Sequence, residues 1–274
     1  MTGNYRKWPT ILFLGILTAP IILMYFYLFV DTVTNSPPGS MIPNEWTAEH
    51  WRFLFTTIPG RPSIWTATLN TLLFATTTTS IVLVVSSAAG YALSRLNMPG
   101  RSLFLGGVLV LHAFPTVTLL IAIFLILQMV GLYNTLIGVI LVKTALELPF
   151  GIWIMKGFYD TVPWEIEMAG LQDGATRFQV WTKLVLPQVK PAIMALGIFS
   201  FLAGWSEFIL PLVLAPDNNV QVLSVYLAGL ISDDTNFDMA MFKSVGVFYV
   251  LPVIILFTFF QSKLMNIYSG GNKG

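Results

Sequence analysis

Lys143 and Glu147 are oppositely charged residues within an apolar segment. Residues four apart lie on one face of a helix, where opposite charges pair. An uncompensated charge at the centre of a membrane span costs about 2.5–3.5 kcal/mol, so such residues usually face the protein interior or a watery cavity. Three interpretations stay open: a structural ion pair, a set of donors and acceptors for substrate hydroxyls along a transport pathway, or side chains that reach the interface from a lipid-facing surface. Trp205 and Glu207 are weaker pathway candidates.

Residue types that carry catalysis or bind metals are scarce in this sequence. There is no cysteine, which excludes disulfides and thiol chemistry, and the two histidines, His50 and His112, are far apart. No grouping of His, Asp and Glu has the spacing of a metal site. The glycine-rich Gly-x-x-x-x-Gly-Lys-Ser/Thr motif that cradles phosphates is absent. We therefore expect no catalytic residues, no metal and no cofactor on this chain, and the net charge of +1 does not point to nucleic acid.

The elements that position these residues are predicted to be membrane helices. Of the 274 residues, 55% are apolar and 10% are charged, whereas soluble proteins have about 25% charged residues. A helix needs roughly 20 apolar residues to cross a bilayer. The apolar runs are continuous rather than alternating, which argues against a barrel. The sequence predicts an all-α integral membrane protein, a single transmembrane domain over residues 1–274, with six spans near 8–30, 62–94, 103–129, 134–158, 191–213 and 244–262.

The distribution of Lys and Arg predicts the orientation of these spans. With six spans both termini share a side, and that side holds ten Lys and Arg residues, against three on the other. Loops on the cytoplasmic side carry the excess of positive residues. Both termini are therefore predicted to lie in the cytoplasm.

Residues 160–187, between the fourth and fifth predicted spans, read as a structure outside the membrane. Thr161 is predicted to cap a first helix, and the Asp-Gly pair at 173–174 is a turn signal. Thr176 is predicted to cap a second short helix that ends before Pro187. The result is a helix–turn–helix element, called here the coupling element. Its apolar residues need cover, either from lipid headgroups or from a docked protein; they are Trp164, Phe178 and Trp181.

The coupling element resembles the cytoplasmic signature of permeases of binding-protein-dependent ABC importers. That signature reads Glu-Ala-Ala, three residues, Gly, nine residues, Ile, one residue and Leu-Pro. Here Gly174 is followed after nine residues by a matching Leu-Val-Leu-Pro run at 184–187, but Met168 stands in place of the signature Glu. The resemblance implies that the element contacts an ATPase through a set of residues at the signature positions: Glu167, Met168, Ala169, Gly170, Asp173, Gly174, Ala175, Leu184, Leu186 and Pro187.

Five further segments resemble the carbohydrate-uptake branch of that family, and within it the second permease of maltose-type systems. They are 70–71, 91–95, 148–150, 204–208 and 270–274, and the resemblance as a whole extends over nearly the whole chain. The resemblance implies the type I ABC importer permease fold in a bacterial inner membrane. It also implies that the 214–243 segment contacts the binding protein, unless it is a lid on its own chain, and that the tail reaches the ATPases, unless it is disordered.

The partners implied by the resemblance are a second, different permease subunit, two ATPase subunits that carry ATP and magnesium, and an extracellular solute-binding protein. The implied substrate is a sugar or small polyol, with a sugar phosphate such as a glycerol phosphate as the alternative. Two other classes of membrane protein are alternatives to an ABC importer permease. An ion-coupled secondary transporter is expected to show internal repeats, none of which is evident. A membrane-embedded enzyme needs the catalytic cluster that the sequence lacks.

Overall fold

The computed structural model describes residues 7–35, 43–231 and 238–268, without the side chains of Lys7 and residues 262–268. The described chain is helical apart from a short antiparallel hairpin in which Thr34 pairs with Trp46. The α-helices are α1 (Lys7–Asp31), α2 (Ile64–Arg95), α3 (Arg101–Ala113), α4 (Thr116–Met129), α5 (Leu136–Asp160), α6 (Trp164–Gln172), α7 (Arg177–Val180), α8 (Leu186–Gln188), α9 (Lys190–Trp205), α10 (Ile209–Leu214), α11 (Leu223–Ile231) and α12 (Met239–Tyr268).

Four described helices are long and apolar enough to cross a membrane. They are Trp8–Asp31, Ile64–Arg95, Leu136–Asp160 and Met239–Gln261, and the count rises to as many as six if each of two bent helix pairs forms one span. The helical membrane class is thereby confirmed, while the count of six spans stays a prediction.

The described chain divides into two compact units, residues 1–63 with 227–252 and residues 64–226 with 253–274. In the larger unit, α2 packs along α5 and α9. Two glycines allow this approach. A Cβ on Gly90 would lie 2.8 Å from the backbone nitrogen of Lys156 in α5, and a Cβ on Gly204 would lie 3.0 Å from the Cα of Ala75 in α2. Larger residues at these positions would push the helices apart.

In the smaller unit, α1 leads into the hairpin and a 3-10 helix at Glu49–Leu54. The indole of Trp51 donates to the carbonyl of Thr32 (3.1 Å), and Asp31 at the end of α1 pairs with Lys243 of α12. Most of the α1 surface is exposed within the chain, as expected of a helix that meets lipid or another subunit. The single transmembrane domain over residues 1–274 stays a prediction.

The predicted third span, 103–129, was wrong as one continuous helix. It breaks at Phe114 and Pro115, and α3 and α4 meet at 98°. Proline lacks a backbone N–H and disfavours a helical conformation in the residue before it. Accordingly, Phe114 is extended, with φ −72° and ψ 128°. The predicted turn at 131–135 is confirmed: α4 ends before it, Gly131 has φ 70°, and the Thr135 hydroxyl accepts from the nitrogen of Gly138 (3.0 Å).

The fifth and sixth predicted spans also differ from the structure. The fifth, 191–213, was wrong as one helix because α9 ends at Trp205 and α10 starts anew at Ile209. Pro211 cannot donate to the carbonyl of Glu207, and the hydroxyl of Ser224 donates to it instead (2.6 Å). The sixth was predicted over 244–262, but α12 begins at Met239.

Candidate functional site

The coupling element begins differently from its prediction. Thr161 is not the cap of the first helix; it ends α5, and its hydroxyl donates to the carbonyl of Phe158 (2.8 Å), while Pro163 precedes the first residue of α6. The second cap is confirmed. The Thr176 side chain accepts from the nitrogen of Gln179 (3.3 Å), and the Gln179 side chain accepts from the nitrogen of Thr176 (2.9 Å). This reciprocal pair is a capping box.

The turn between the two halves of the element lies at Gly174, which has φ 82°. This left-handed conformation favours glycine, as the sequence predicted. The second half was predicted to end before Pro187, but it continues as a π-helical turn at Trp181–Val185 and then α8, and it bends by 75° into α9. Proline is tolerated there because it lies in the first turn of α8.

The residues of the signature divide between an inner and an outer face. On the inner face, Gly170 packs against Leu184 and Val180, and Glu167 is 1% exposed. On the outer face, Met168 is 46% exposed. Ala175 and Leu186 are half-buried, and the remaining predicted contact residues are exposed: Ala169, Asp173, Gly174, Leu184 and Pro187. Contact with an ATPase stays a prediction for these residues. The side chain of Glu167 is buried inside the chain, where a docked ATPase could not readily reach it.

The buried carboxylate of Glu167 contacts two side chains from the end of α2. Its Oε2 lies 3.1 Å from Nε of Arg95, and its Oε1 accepts a hydrogen bond of 2.7 Å from the hydroxyl of Tyr91. The sequence predicted Glu167 as a contact residue but did not show that Arg95 and Tyr91 bind its carboxylate. Arg95 lies inside the Tyr-Ala-Leu-Ser-Arg segment at 91–95, which the family resemblance had marked without a role.

A second polar cluster lies between α5 and the α9–α10 break, and we call it the charged triad. The predicted pair is confirmed in geometry: Nζ of Lys143 lies 3.3 Å from Oε1 of Glu147. The closer partner is Glu207, whose Oε2 lies 2.6 Å from the same ammonium group. Each of the three side chains is 13–17% exposed. The break after α9 places Glu207 opposite Lys143, which a continuous helix pattern could not predict.

The triad adjoins a cavity of about 290 Å³ whose lining includes Lys143 and Glu147. The hydroxyl of Ser200 donates to Oε2 of Glu147 (2.6 Å). The imidazole of His112 stacks on the ring of Phe150, with centroids 5.4 Å apart. The other lining residues are mostly apolar: Val82, Leu196, Phe199 and Ala203. A cavity with aromatic walls and a few polar groups is typical of a small-molecule site.

Three other features singled out in the sequence are Trp205, the C-terminal tail and the Asn-Thr pair at 70–71. Trp205 is 2% exposed and stacks on Phe201, with ring centroids 5.9 Å apart, so it packs in the core of its unit. The tail at 270–274 lies outside the described residues. The Asn-Thr pair at 70–71 has a visible role: Asn70 donates to the carbonyls of Asn219 and Gln221 (both 3.0 Å), which ties the start of the 214–243 segment to α2.

Comparison with known proteins identifies the family. The family model described as "binding-protein-dependent transport system inner membrane component" matches residues 86–264. The chain belongs to this family. It is therefore an inner-membrane transport component and not an enzyme, and the predicted resemblance to permeases of ABC importers is confirmed.

The relatives and a solved structure agree with that assignment. The chain is 29% identical to the diacetylchitobiose uptake system permease protein DasC of Streptomyces coelicolor, over 98% of each chain. It is 27% identical to the trehalose transport system permease protein SugB of Mycobacterium tuberculosis, over 92% of each. A bacterial ABC transporter involved in the import of alginate contains a chain with the same fold, with a TM-score of 0.76 and 20% identity over 95% of this chain and 99% of that one.

Proposed function

We propose that this chain is a permease subunit of an ATP-driven importer that translocates a sugar or small polyol delivered by an extracellular binding protein. A second, different permease subunit completes the pathway, and two ATPase subunits dock on the coupling element. Both termini lie in the cytoplasm, as the distribution of Lys and Arg indicates. This chain holds no cofactor; ATP and magnesium belong to the ATPases.

The observation that carries this proposal is the coupling element itself, a folded helix–turn–helix in a chain of this family. Its outer face presents exposed apolar residues, among them Phe178 (68% exposed) and Trp164 (46% exposed). Trp181, also predicted to be exposed, is half-buried against Tyr91 instead. An exposed apolar patch on a connection between membrane helices supports a docked protein partner.

The charged triad supports an uncharged solute. Two carboxylates and one ammonium group leave a net negative charge, and the ammonium of Lys143 is already paired with both acids. A phosphate or carboxylate on the solute would have no free cation among the described triad residues and would be repelled. Hydroxyl groups, by contrast, can donate to the carboxylates and to the hydroxyl oxygen of Ser200, whose own hydrogen is donated to Glu147. The fold alone does not decide this point, since the alginate importer handles an acidic polysaccharide.

The relatives support the sugar class, since DasC and SugB are named for the uptake of diacetylchitobiose and trehalose.

The test is uptake into proteoliposomes that contain this chain, its second permease and its ATPases, with the binding protein outside. Radiolabelled maltose, trehalose and diacetylchitobiose are the probes, with glycerol 3-phosphate as the anionic comparison. Uptake should require ATP and the binding protein. Uptake driven by an ion gradient without the ATPases would indicate a secondary transporter, and preferential uptake of glycerol 3-phosphate would indicate the sugar-phosphate alternative.

Replacing Gly174 with valine is expected to weaken ATPase docking and abolish transport while leaving membrane insertion intact. Among the described residues, no heavy atom lies within 4 Å of where a Cβ would be, so the cost comes from the backbone. A left-handed conformation costs about 1–2 kcal/mol for an ordinary residue and more for a β-branched one. Co-purification of the ATPase measures the effect.

Gly174→Asn is the matched control, because asparagine tolerates the left-handed conformation better than valine does. If the turn conformation alone matters, Gly174→Asn should retain most of the docking that Gly174→Val loses. Equal loss in both variants would show that the ATPase needs an uncovered backbone at this position. Normal transport by Gly174→Val would remove Gly174 from the coupling role.

A further inference from the structure

The buried contact between α2 and the coupling element is an ion pair enclosed on all sides. The side chains of Arg95 and Glu167 are 2% and 1% exposed, and Nε and Oε2 lie 3.1 Å apart. Arg95 is the last residue of α2, and Glu167 lies in the first turn of α6. Charged residues are almost never fully buried unless they are paired. The pair therefore joins the end of a membrane helix to the predicted docking element.

Arg95 makes two further contacts with the start of the element. Its Nη2 donates to the carbonyl of Val162 (2.6 Å), and its guanidinium lies over the ring of Trp164, 4.7 Å from the centroid. The planar guanidinium group suits such simultaneous contacts, which the compact ammonium of a lysine could not reproduce. One side chain of α2 thus contacts Val162 just ahead of α6 and two residues in the first turn of that helix, Trp164 and Glu167.

Tyr91, one turn earlier in α2, contacts the second half of the element as well. Its ring stacks on Trp181, with centroids 5.6 Å apart and an interplanar angle of 25°, and its hydroxyl donates to Glu167. The indole of Trp181 donates to the hydroxyl of Tyr159 in α5 (3.1 Å), and that hydroxyl also bonds to Ser87 (2.7 Å). Both halves of the coupling element are therefore fixed to the ends of α2 and α5.

We propose that Glu167 is a positioning residue that transmits movement of the coupling element to α2 through Arg95, rather than a contact of the ATPase. The proposal rests on the proposed function, because it requires ATPases that move the element. An element that docks but is loosely joined to α2 would follow the ATPases without moving the membrane helices. Packed contacts of low compressibility transmit displacement, whereas a loosened joint absorbs it.

The proposal predicts that loss of the ion pair leaves ATPase docking intact but weakens the movement of the membrane helices. Co-purification measures docking, and a labelling experiment measures the movement. The chain contains no cysteine, so a single introduced thiol is the one site of labelling on this chain, and the label is counted on this chain after the subunits are separated. Ala203 lines the cavity beside the charged triad, and Ala203→Cys is a small change. In the complete complex in proteoliposomes, the rate at which a membrane-impermeant maleimide labels this thiol from outside is measured with and without ATP, magnesium and vanadate. This readout does not require that the transported solute be known.

Glu167→Gln is the main variant, because glutamine keeps an oxygen that accepts from Tyr91 and removes the charge that pairs with Arg95. Because Arg95 loses its charged partner, we expect less complex to assemble, but the amount of ATPase bound per assembled complex should equal that of the Ala203→Cys parent. The ATP-dependent change in labelling rate should shrink by about tenfold, within the usual range of coupling between two sites. Glu165→Gln removes the same charge at an exposed residue of the same helix that is not among the predicted contact residues and has no buried partner to lose. It is the matched control, and its labelling response per assembled complex should equal that of the parent.

Two results would overturn the proposal. Loss of the ATPase from the Glu167→Gln complex, with the second permease still bound, would make Glu167 a docking contact. A labelling response equal to that of the parent would leave the ion pair without a role in transmission.

If Glu167→Gln does not assemble with the second permease, the variant Tyr91→Phe decides. It keeps the ring stack on Trp181 and removes one hydrogen bond to Glu167. It should dock the ATPase and show a smaller labelling response than the parent. A parent complex that lacks the ATPase, or that shows no ATP-dependent labelling, would instead contradict the proposed function.

Discussion

Replacing Lys143 with methionine is expected to prevent most of the chain from assembling stably in the membrane. The substitution keeps a long side chain but leaves the carboxylates of Glu147 and Glu207 without the cation that now lies 3.3 and 2.6 Å away. Removing one partner of a buried ion pair costs about 3–5 kcal/mol, because the remaining charge is uncompensated. Since whole domains are stable by only about 5–15 kcal/mol, this is a large fraction of the total.

The measurement is the amount of monodisperse protein extracted from the membrane, together with its half-life on warming. Lys156→Met is the matched control, since Lys156 lies in the same helix and pairs with Asp160 at the same i, i+4 spacing (2.5 Å). That pair is more exposed, and Asp160 also accepts from Ser94 (2.7 Å). Exposed pairs contribute about 0–1 kcal/mol, so Lys156→Met should remain close to the unchanged protein. Equal stability of the two variants would mean that the triad is not an energetic unit.

The parts of the fold that follow from local rules were predictable from the sequence. The turn at 131–135 needs residues that adopt positive φ, and Gly131 and Asn134 do so. The capping box at Thr176 and the left-handed Gly174 follow from side-chain and backbone chemistry within a few residues. The face shared by Lys143 and Glu147 follows from helix periodicity alone.

The parts that depend on contacts between distant segments could not be predicted in the same way. Glu207 is 64 residues from Lys143, and only the break between α9 and α10 brings it there. Arg95 and Glu167 come from different elements, and the signature match placed Glu167 on a docking surface although its side chain points inward. Pro115 is a local sequence signal of a helix break, but the uninterrupted apolar run around it favours a single span.

The third member of the triad changes what an exchange of charges can reveal. Swapping the predicted pair, with Lys143→Glu and Glu147→Lys, would separate a structural pair from a substrate site if those two residues were alone. The carboxylate of Glu207 lies 2.6 Å from the ammonium group of Lys143, so the exchange would bring two carboxylates together. Like charges at this distance repel strongly in a low dielectric. The exchange is therefore expected to be damaging for a structural reason, whichever role the pair has.

Removing all three charges together separates the roles instead. The triple variant Lys143→Met, Glu147→Gln and Glu207→Gln leaves no uncompensated charge and so avoids the cost of a buried charge without a partner. Glutamine at 147 still accepts from Ser200, and glutamine at 207 still accepts from the nitrogen of Leu210, the two bonds now made by the carboxylates (2.6 and 3.3 Å). Assembly should therefore recover to near that of the unchanged protein, well above Lys143→Met.

Transport by the triple variant then reports on the pathway. A carboxylate is a stronger acceptor for hydroxyl groups than a neutral amide, with charge-assisted bonds roughly twice as strong as neutral ones. If the triad contacts the moving solute, uptake of maltose, trehalose or diacetylchitobiose should fall by about tenfold or more, the effect of losing roughly 1.4 kcal/mol in the transport step. ATPase co-purification should be unchanged, since the coupling element is untouched. A triple variant that assembles and transports as well as the unchanged protein would assign the triad a structural role and exclude it from the substrate pathway.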